Sequence, residues 1–248
     1  MIANSLFHFT KEMKTIVEII RGKKFLASYN IEDIKDFHPE KRFVAIPMIC
    51  FCDIPLKLID DHTNSFGKFG IGLNKDWGIK NLINPLLYRI DQEGSMLEKA
   101  LKVLFSENSE MIKQLEAINT IELDQFQKST LFLADNSIDQ AIRISAFTKP
   151  YSNGNRKYYN EREWRFVPEN AQFIFPEDNG QAVREILNQD YSRASLSFDL
   201  NEIEHVIVSE TAEIDSFIAL IKDTPLTEDE KYKLIQKVNS LDKIKKDF

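Results

Sequence analysis

Residues 158–167, YYNEREWRFV, place the strongest condition on how this chain can fold. Read as one β-strand, the stretch sends Trp164 and Phe166 to one face and Glu161, Glu163 and Arg165 to the other, because side chains alternate at a period of two. The aromatic face demands a core behind it. The opposite face gathers two carboxylates and a guanidinium, either as a solvated, salt-bridged surface or as a chemical site in a cleft.

The rest of the chain can supply that core. Of 248 residues, 43% are hydrophobic and 18 are Phe, which is enough for one α+β domain over residues 1–248 and excludes a disordered chain. The 32 basic and 39 acidic residues leave a net charge of −7, which disfavours broad adhesion to nucleic-acid backbones, although a local basic patch remains compatible with it. No run of about 18 apolar residues could span a bilayer, and the opening MIANSLFHFT lacks a basic-then-apolar leader. A cytoplasmic protein with no membrane partner is therefore expected. The two cysteines, Cys50 and Cys52, are one residue apart, too close to bridge without strain, and are expected to be reduced. With Asp53 and His62 they invite a zinc reading, but the spacing is short and no second ligand pair follows, so no metal is expected.

Element signals follow in order. SLFHFT reads as a strand with Leu6, His8 and Thr10 on one face and Phe7 and Phe9 on the other. Met13, Ile16, Val17 and Ile20 have helical spacing, and Gly22 supplies a stop. FVAIPMICFC at 43–52 is a buried strand that tolerates Pro47 only at a bulge or an edge. FGKFGIGL at 66–73 reads as a strand whose glycines let backbone approach a neighbour or a flat ligand closely. A turn is expected at Asn84-Pro85 and a strand at 87–90. Residues 91–145 read as a helical insertion, with capping-box spacing at Ser95/Glu98 and Ser137/Gln140. Strands are expected at 144–149, 162–167, 194–198 and 205–208, and helices at 181–187 and 214–221. Thr227 and Glu230 have the spacing to cap a final helix whose lysines sit mostly toward its end.

SLFHFT, AIPMICFCDIPL, His62 ahead of FGKFGIGLNKDWG, INPLLY and YNEREWRFVP, in that order over residues 5–168, resemble the AbiGi-type abortive-infection proteins of bacteria. The resemblance implies a role in defence against phage, with a cognate toxin or antitoxin as partner and a phage component as trigger. More distantly, a strand with His-x-Thr, a helix, glycine-rich strands and a late strand bearing Glu resemble the ADP-ribosyltransferase fold, DarT-like enzymes included. That resemblance implies a mixed or antiparallel split sheet carrying the helical insertion and a C-terminal helix. It also implies NAD as substrate, with a protein or a nucleic acid as acceptor. By position, His8 and Thr10 match the NAD-holding strand and Glu163, with Glu161, the catalytic carboxylates. Tyr29, Tyr88 and Phe69 compete for the family's middle aromatic.

Such chemistry passes through an oxocarbenium-like ribose. One carboxylate can stabilise that cation while a second deprotonates the acceptor, and Arg165 can relieve their repulsion or meet a phosphate. The expected site is Glu163 and Glu161 for catalysis, with His8, Thr10, Arg165 and Phe69 binding the cofactor. The alternative is an antitoxin or sensor that grips a partner without turnover and presents an apolar patch, with the helical insertion as its expected place.

Overall fold

The computed structural model describes residues 3–35, 40–90, 95–117, 124–154, 156–189, 191 and 193–247. The chain opens with β1 (Ser5–Thr10), α1 (Met13–Gly22), β2 (Lys24–Leu26), β3 (Ser28–Asp33) and the long β4 (Phe43–Cys52). It continues through α2 (Asp60–Phe66), β5 (Phe69–Asn74), α3 (Lys75–Lys80), β6 (Asn84–Pro85) and β7 (Leu87–Arg89). A hairpin of two 21-residue helices follows, α4 (Met96–Glu116) and α5 (Gln125–Ser145), and then β8 (Thr148–Pro150) and β9 (Glu163–Phe166). The remainder comprises α6 (Gln181–Gln189), β10 (Ser195–Ser197), β11 (Ile203–Val208), α7 (Ile214–Lys222), α8 (Glu228–Ile235), β12 (Val238–Ser240) and α9 (Leu241–Asp247).

Among the described residues, eight strands form one mixed sheet in the order β12-β11-β5-β1-β4-β9-β6, with β3 also paired to β4. β11 and β12 are parallel, and the other pairs in this sheet are antiparallel. The fold is thus α+β, as expected. β1 pairs with β5 along six residues, whereas its pairing with β4 is confined to Phe7 and Cys52, so the sheet opens between β1 and β4.

Both sheet faces are covered. On one, Leu6, Ile49, Phe51, Ile71 and Val206 pack with α1 and α7 through Ile16, Ile20, Phe217 and Ile221. On the other, Phe7, Phe9 and Cys52 pack against α9, while Val44, Ile46 and Met48 receive Leu101, Phe105, Ala141 and Ile142 of the α4–α5 hairpin. Between these two apolar blocks the second face carries Cys50, Glu163 and Arg165, because Cys50 pairs with Arg165 and Cys52 with Glu163.

Several expectations change. Residues 158–167 do not form one strand: Tyr158–Glu161 is a 3-10 helix and the strand starts only at Glu163. Asn84-Pro85 is not a turn but a short strand on the outer side of β9. Ile144 belongs to α5, and the strand near it starts only at Thr148. Ser137 caps nothing, since its hydroxyl bonds back to the Leu133 carbonyl inside α5. That helix is started instead by Asp124 and Gln127 in a reciprocal capping box. The final helix is two helices, because β12 interrupts it to pair with β11.

Pro47 sits within β4 without a bulge. Ala45 exchanges both backbone bonds with Ile174, so Pro47, two residues on, directs its nitrogen to that same side. There the pairing lapses until Ile49 meets Phe166, and the missing donor costs no ladder bond. The glycines of β5 permit close approach to a neighbour, since a Cβ on Gly70 or Gly72 would meet the Phe9 or Phe7 ring at 2.6 and 2.5 Å.

Candidate functional site

Glu161 and Glu163 do converge, by a route other than simple alternation. Arg162 adopts the left-handed conformation at φ 43° and ψ 49°, closing the 3-10 turn and setting both neighbouring carboxylates on one side. The backbone is pinned there, with Arg162 N–H donating to the Tyr159 carbonyl and Asp53 N–H donating to that of Arg162. The paired strands β7 and β8 place Tyr88 opposite Lys149 and deliver both to the same spot. Lys149 Nζ donates to Glu161 Oε2 and to Glu163 Oε2, each at 2.8 Å. The Tyr88 hydroxyl accepts from Glu163 N–H at 2.8 Å.

Arg165, 1% exposed, completes the cluster. Its Nε donates to Glu163 Oε1 at 2.7 Å, Nη1 to the Ala146 carbonyl at 2.7 Å and Nη2 to Glu32 Oε1 at 2.6 Å. Arg156 reaches Glu161 Oε1 from outside, through Nε at 3.0 Å and Nη2 at 2.8 Å. The result is a continuous chain, Glu32–Arg165–Glu163–Lys149–Glu161–Arg156, buried through its middle with an exposed Arg156 at one end, in which each oxygen of Glu161 and Glu163 faces a cation. Burial alone would raise the Glu163 carboxyl, but Arg165 and Lys149 outweigh it and hold the group far below the usual carboxylate range. At neutral pH Glu163 is ionised and a weak base. The same surroundings push the Cys50 thiol up, chiefly by burial, so neither a reactive thiolate nor a metal ligand is favoured there.

The opening between β1 and β4 forms a cavity of about 290 Å³ bordered by His8, Phe51, His62, Glu161 and Glu163. His8 and Glu163 thus border one cleft, but their side chains leave the sheet on opposite faces. Phe7 pairs with Cys52 and Cys52 with Glu163, which puts Glu163 on the face of Phe7, the one His8 avoids. The His8 ring packs against Phe25 and Phe51, and its Nδ1 donates to the Cys50 carbonyl at 2.9 Å. Burial lowers its pKa, keeping the ring neutral with Nε2 as acceptor.

The other expected site residues are distributed differently. Thr10 donates its hydroxyl to the Glu12 carbonyl, and Phe69 packs against the core beneath β5; neither borders the cleft. Arg165 lies beneath the carboxylates rather than on the cavity wall. Of the competing aromatics, Tyr88 touches Glu163, while Tyr29 meets Tyr191 at a tilt of 60°, outside the cleft lining. Asp53 is ion-paired with Lys75 at 2.8 Å, Cys50 and Cys52 are free thiols, and no metal-holding group of three His, Cys, Asp or Glu occurs among the described residues. Sequence reading overlooked Lys149, Arg156 and Glu32. Their one signal was that Lys149 and Arg156 stand in the polar stretch just ahead of an acidic strand; nothing local marks Glu32.

The family model described as "Putative abortive phage resistance protein AbiGi, antitoxin" matches residues 23–209. A curated relative, the abortive phage resistance protein AbiGi of Lactococcus lactis subsp. cremoris, is 27% identical over 254 residues, covering 90% of this chain and 99% of that protein. No solved structure matches. No helix among the described residues is long and apolar enough to cross a membrane.

Proposed function

The chain belongs to the AbiGi family of abortive phage resistance proteins, and from that membership we propose that it acts as the partner-binding, antitoxin component of a two-component defence pair. The observation that carries this reading is the outer surface of α5. Phe126 is 79% exposed, Phe132 70% and Leu133 61%, while Ala134, Ala141 and Ile142 on the inner side are buried. Phe126 and Leu133, seven residues apart, share a helix face, with Phe132 on its flank. Large apolar side chains so exposed in a short span mark interaction surfaces, and the partner implied by the family description is the cognate toxin. A double variant, Phe126→Lys with Leu133→Lys, is expected to weaken binding to that toxin about 30-fold or more by titration calorimetry. Affinity within about threefold of wild type, with helix content retained, would exclude this surface.

A second reading, an NAD-consuming ADP-ribosyltransferase, has its own support: the sheet opens between β1 and β4, and His8 and Glu163 border that opening. An ionised Glu163 suits charge stabilisation at an oxocarbenium ribose better than proton abstraction. A ribose hydroxyl would have to displace Lys149 to reach it, since both carboxylate oxygens are occupied. Thr10 and Phe69 lie outside the cleft, which leaves His8 and Glu163 as the residues to test. On this reading the protein releases nicotinamide from labelled NAD in cell extract, and Glu163→Gln, checked for an intact thermal melt, reduces release at least about 100-fold. An absence of release by the wild-type protein removes it.

A further inference from the structure

A second cavity, of about 530 Å³, lies beside the first between α2 and the 156–162 turn. We propose that it is a binding site for a free phosphorylated nucleoside, with the ring against Tyr159 and the phosphates at Lys157 and Arg162. The proposal is independent of the antitoxin reading, and the cavity adjoins the cleft of the transferase reading through His62, Phe66 and Glu161.

Its volume falls within the range of small-ligand sites. Phe66 stacks on His62 at 4.4 Å and has the Arg156 guanidinium over it at 5.6 Å, whereas Tyr159, 48% exposed, is held by Tyr151 at 5.3 Å and edge-on by Tyr88 at 5.4 Å. A fixed ring with free surface, as at Tyr159, is a stacking platform for a heterocycle. Three cations line the same cavity. Arg156 is committed to Glu161, whereas the Lys157 and Arg162 side chains have no partner among the described residues. With the Glu161 carboxylate in the same lining already met by Lys149 and Arg156, the charges of Lys157 and Arg162 are left to attract an anion locally on a protein of net charge −7.

One further observation points to a ligand: Arg162 is a non-glycine residue held in the left-handed region, a strain found preferentially at ligand clamps. A cavity of this size holds one nucleotide, and the overall negative charge opposes a polyanion, so a free nucleotide is favoured over a nucleic-acid strand.

Calorimetric titration of the full chain with ADP and GDP tests the proposal, with adenosine, pyrophosphate and single-stranded RNA as comparisons. Saturable binding of at least one diphosphate is expected, tighter than either adenosine or pyrophosphate. Lys157→Ala and Arg162→Gly, both at exposed positions, are each expected to weaken it about tenfold without lowering the thermal melt of the free protein. Glycine at 162 retains the left-handed backbone. The proposal is overturned by absence of saturable binding, by pyrophosphate binding as tightly as the nucleotides, by tighter binding of RNA, or by affinities that neither variant changes.

Discussion

Arg165→Met is expected to lower the unfolding free energy by about 3–5 kcal/mol in a denaturant titration at pH 7. The methionine can occupy the space of the stem, so the loss comes from charge. Glu163 keeps Lys149 but loses its second cation, the partly exposed Glu32 loses its partner, and the Ala146 carbonyl loses a donor, around an arginine that is itself 1% exposed. If this cause is right, adding Glu163→Gln to Arg165→Met recovers part of the loss, because a neutral side chain no longer strands a buried charge. A double-mutant cycle reads that coupling directly. Additive losses would show that the pair acts only through packing.

The same cluster sets an acid limit. The Glu163 carboxyl titrates far lower in the folded protein than its ordinary value of 4.5, so the folded state resists protonating it. Its contribution is fully present above about pH 4.5 and is lost as the pH falls toward the folded value. In Arg165→Met the folded value moves up toward the ordinary one, and stability falls less steeply with acid than in the wild-type protein.

The second large effect is expected at Gly67, where α2 ends and the chain turns back against the end of β1. Gly67 has φ +119°, and a Cβ there would stand 2.0 Å from the Thr10 carbonyl oxygen. Both the dihedral and the contact oppose any side chain, and the obstacle is backbone that cannot rotate away. Gly67→Ala is expected to destabilise by about 3–5 kcal/mol, combining left-handed strain with overpacking. Gly154→Ala is the control. Its φ is +56° and nothing among the described residues lies within 4 Å of the added carbon, so it carries the conformational cost alone, about 1 kcal/mol. Equal melting temperatures for the two variants would mean that the segment before β5 shifts freely and the close contact with β1 is not restrictive.

Alternation and helical spacing are properties of a few neighbouring residues, and where they govern, the reading from sequence holds. The opposed faces of Leu6–His8 and Phe7–Phe9, the aromatic face of Trp164 and Phe166, and the Thr227–Glu230 cap are all found. Boundaries are where it fails. Arg162 enters the left-handed region against its local preference because strand pairing and the Asp53 bond hold it there, so the strand begins only at Glu163, two residues after Glu161. The final helix breaks because Val238–Ser240 gains a parallel partner in β11, an interaction no local pattern announces.

The candidate site divides along the same line. That Glu163 and Arg165 would share one side of an aromatic-backed strand could be read from EWRF, since period-two geometry needs nothing beyond the strand itself, whereas Glu161 joins them only through the left-handed turn at Arg162. That the two carboxylates would be buried and neutralised could not be read. Glu32 reaches Arg165 across 133 positions, and Lys149 comes to both carboxylates on a ribbon formed with Leu87–Arg89. Which charges meet, and whether water remains between them, depends on which distant segments pack together, and only the folded chain decides that.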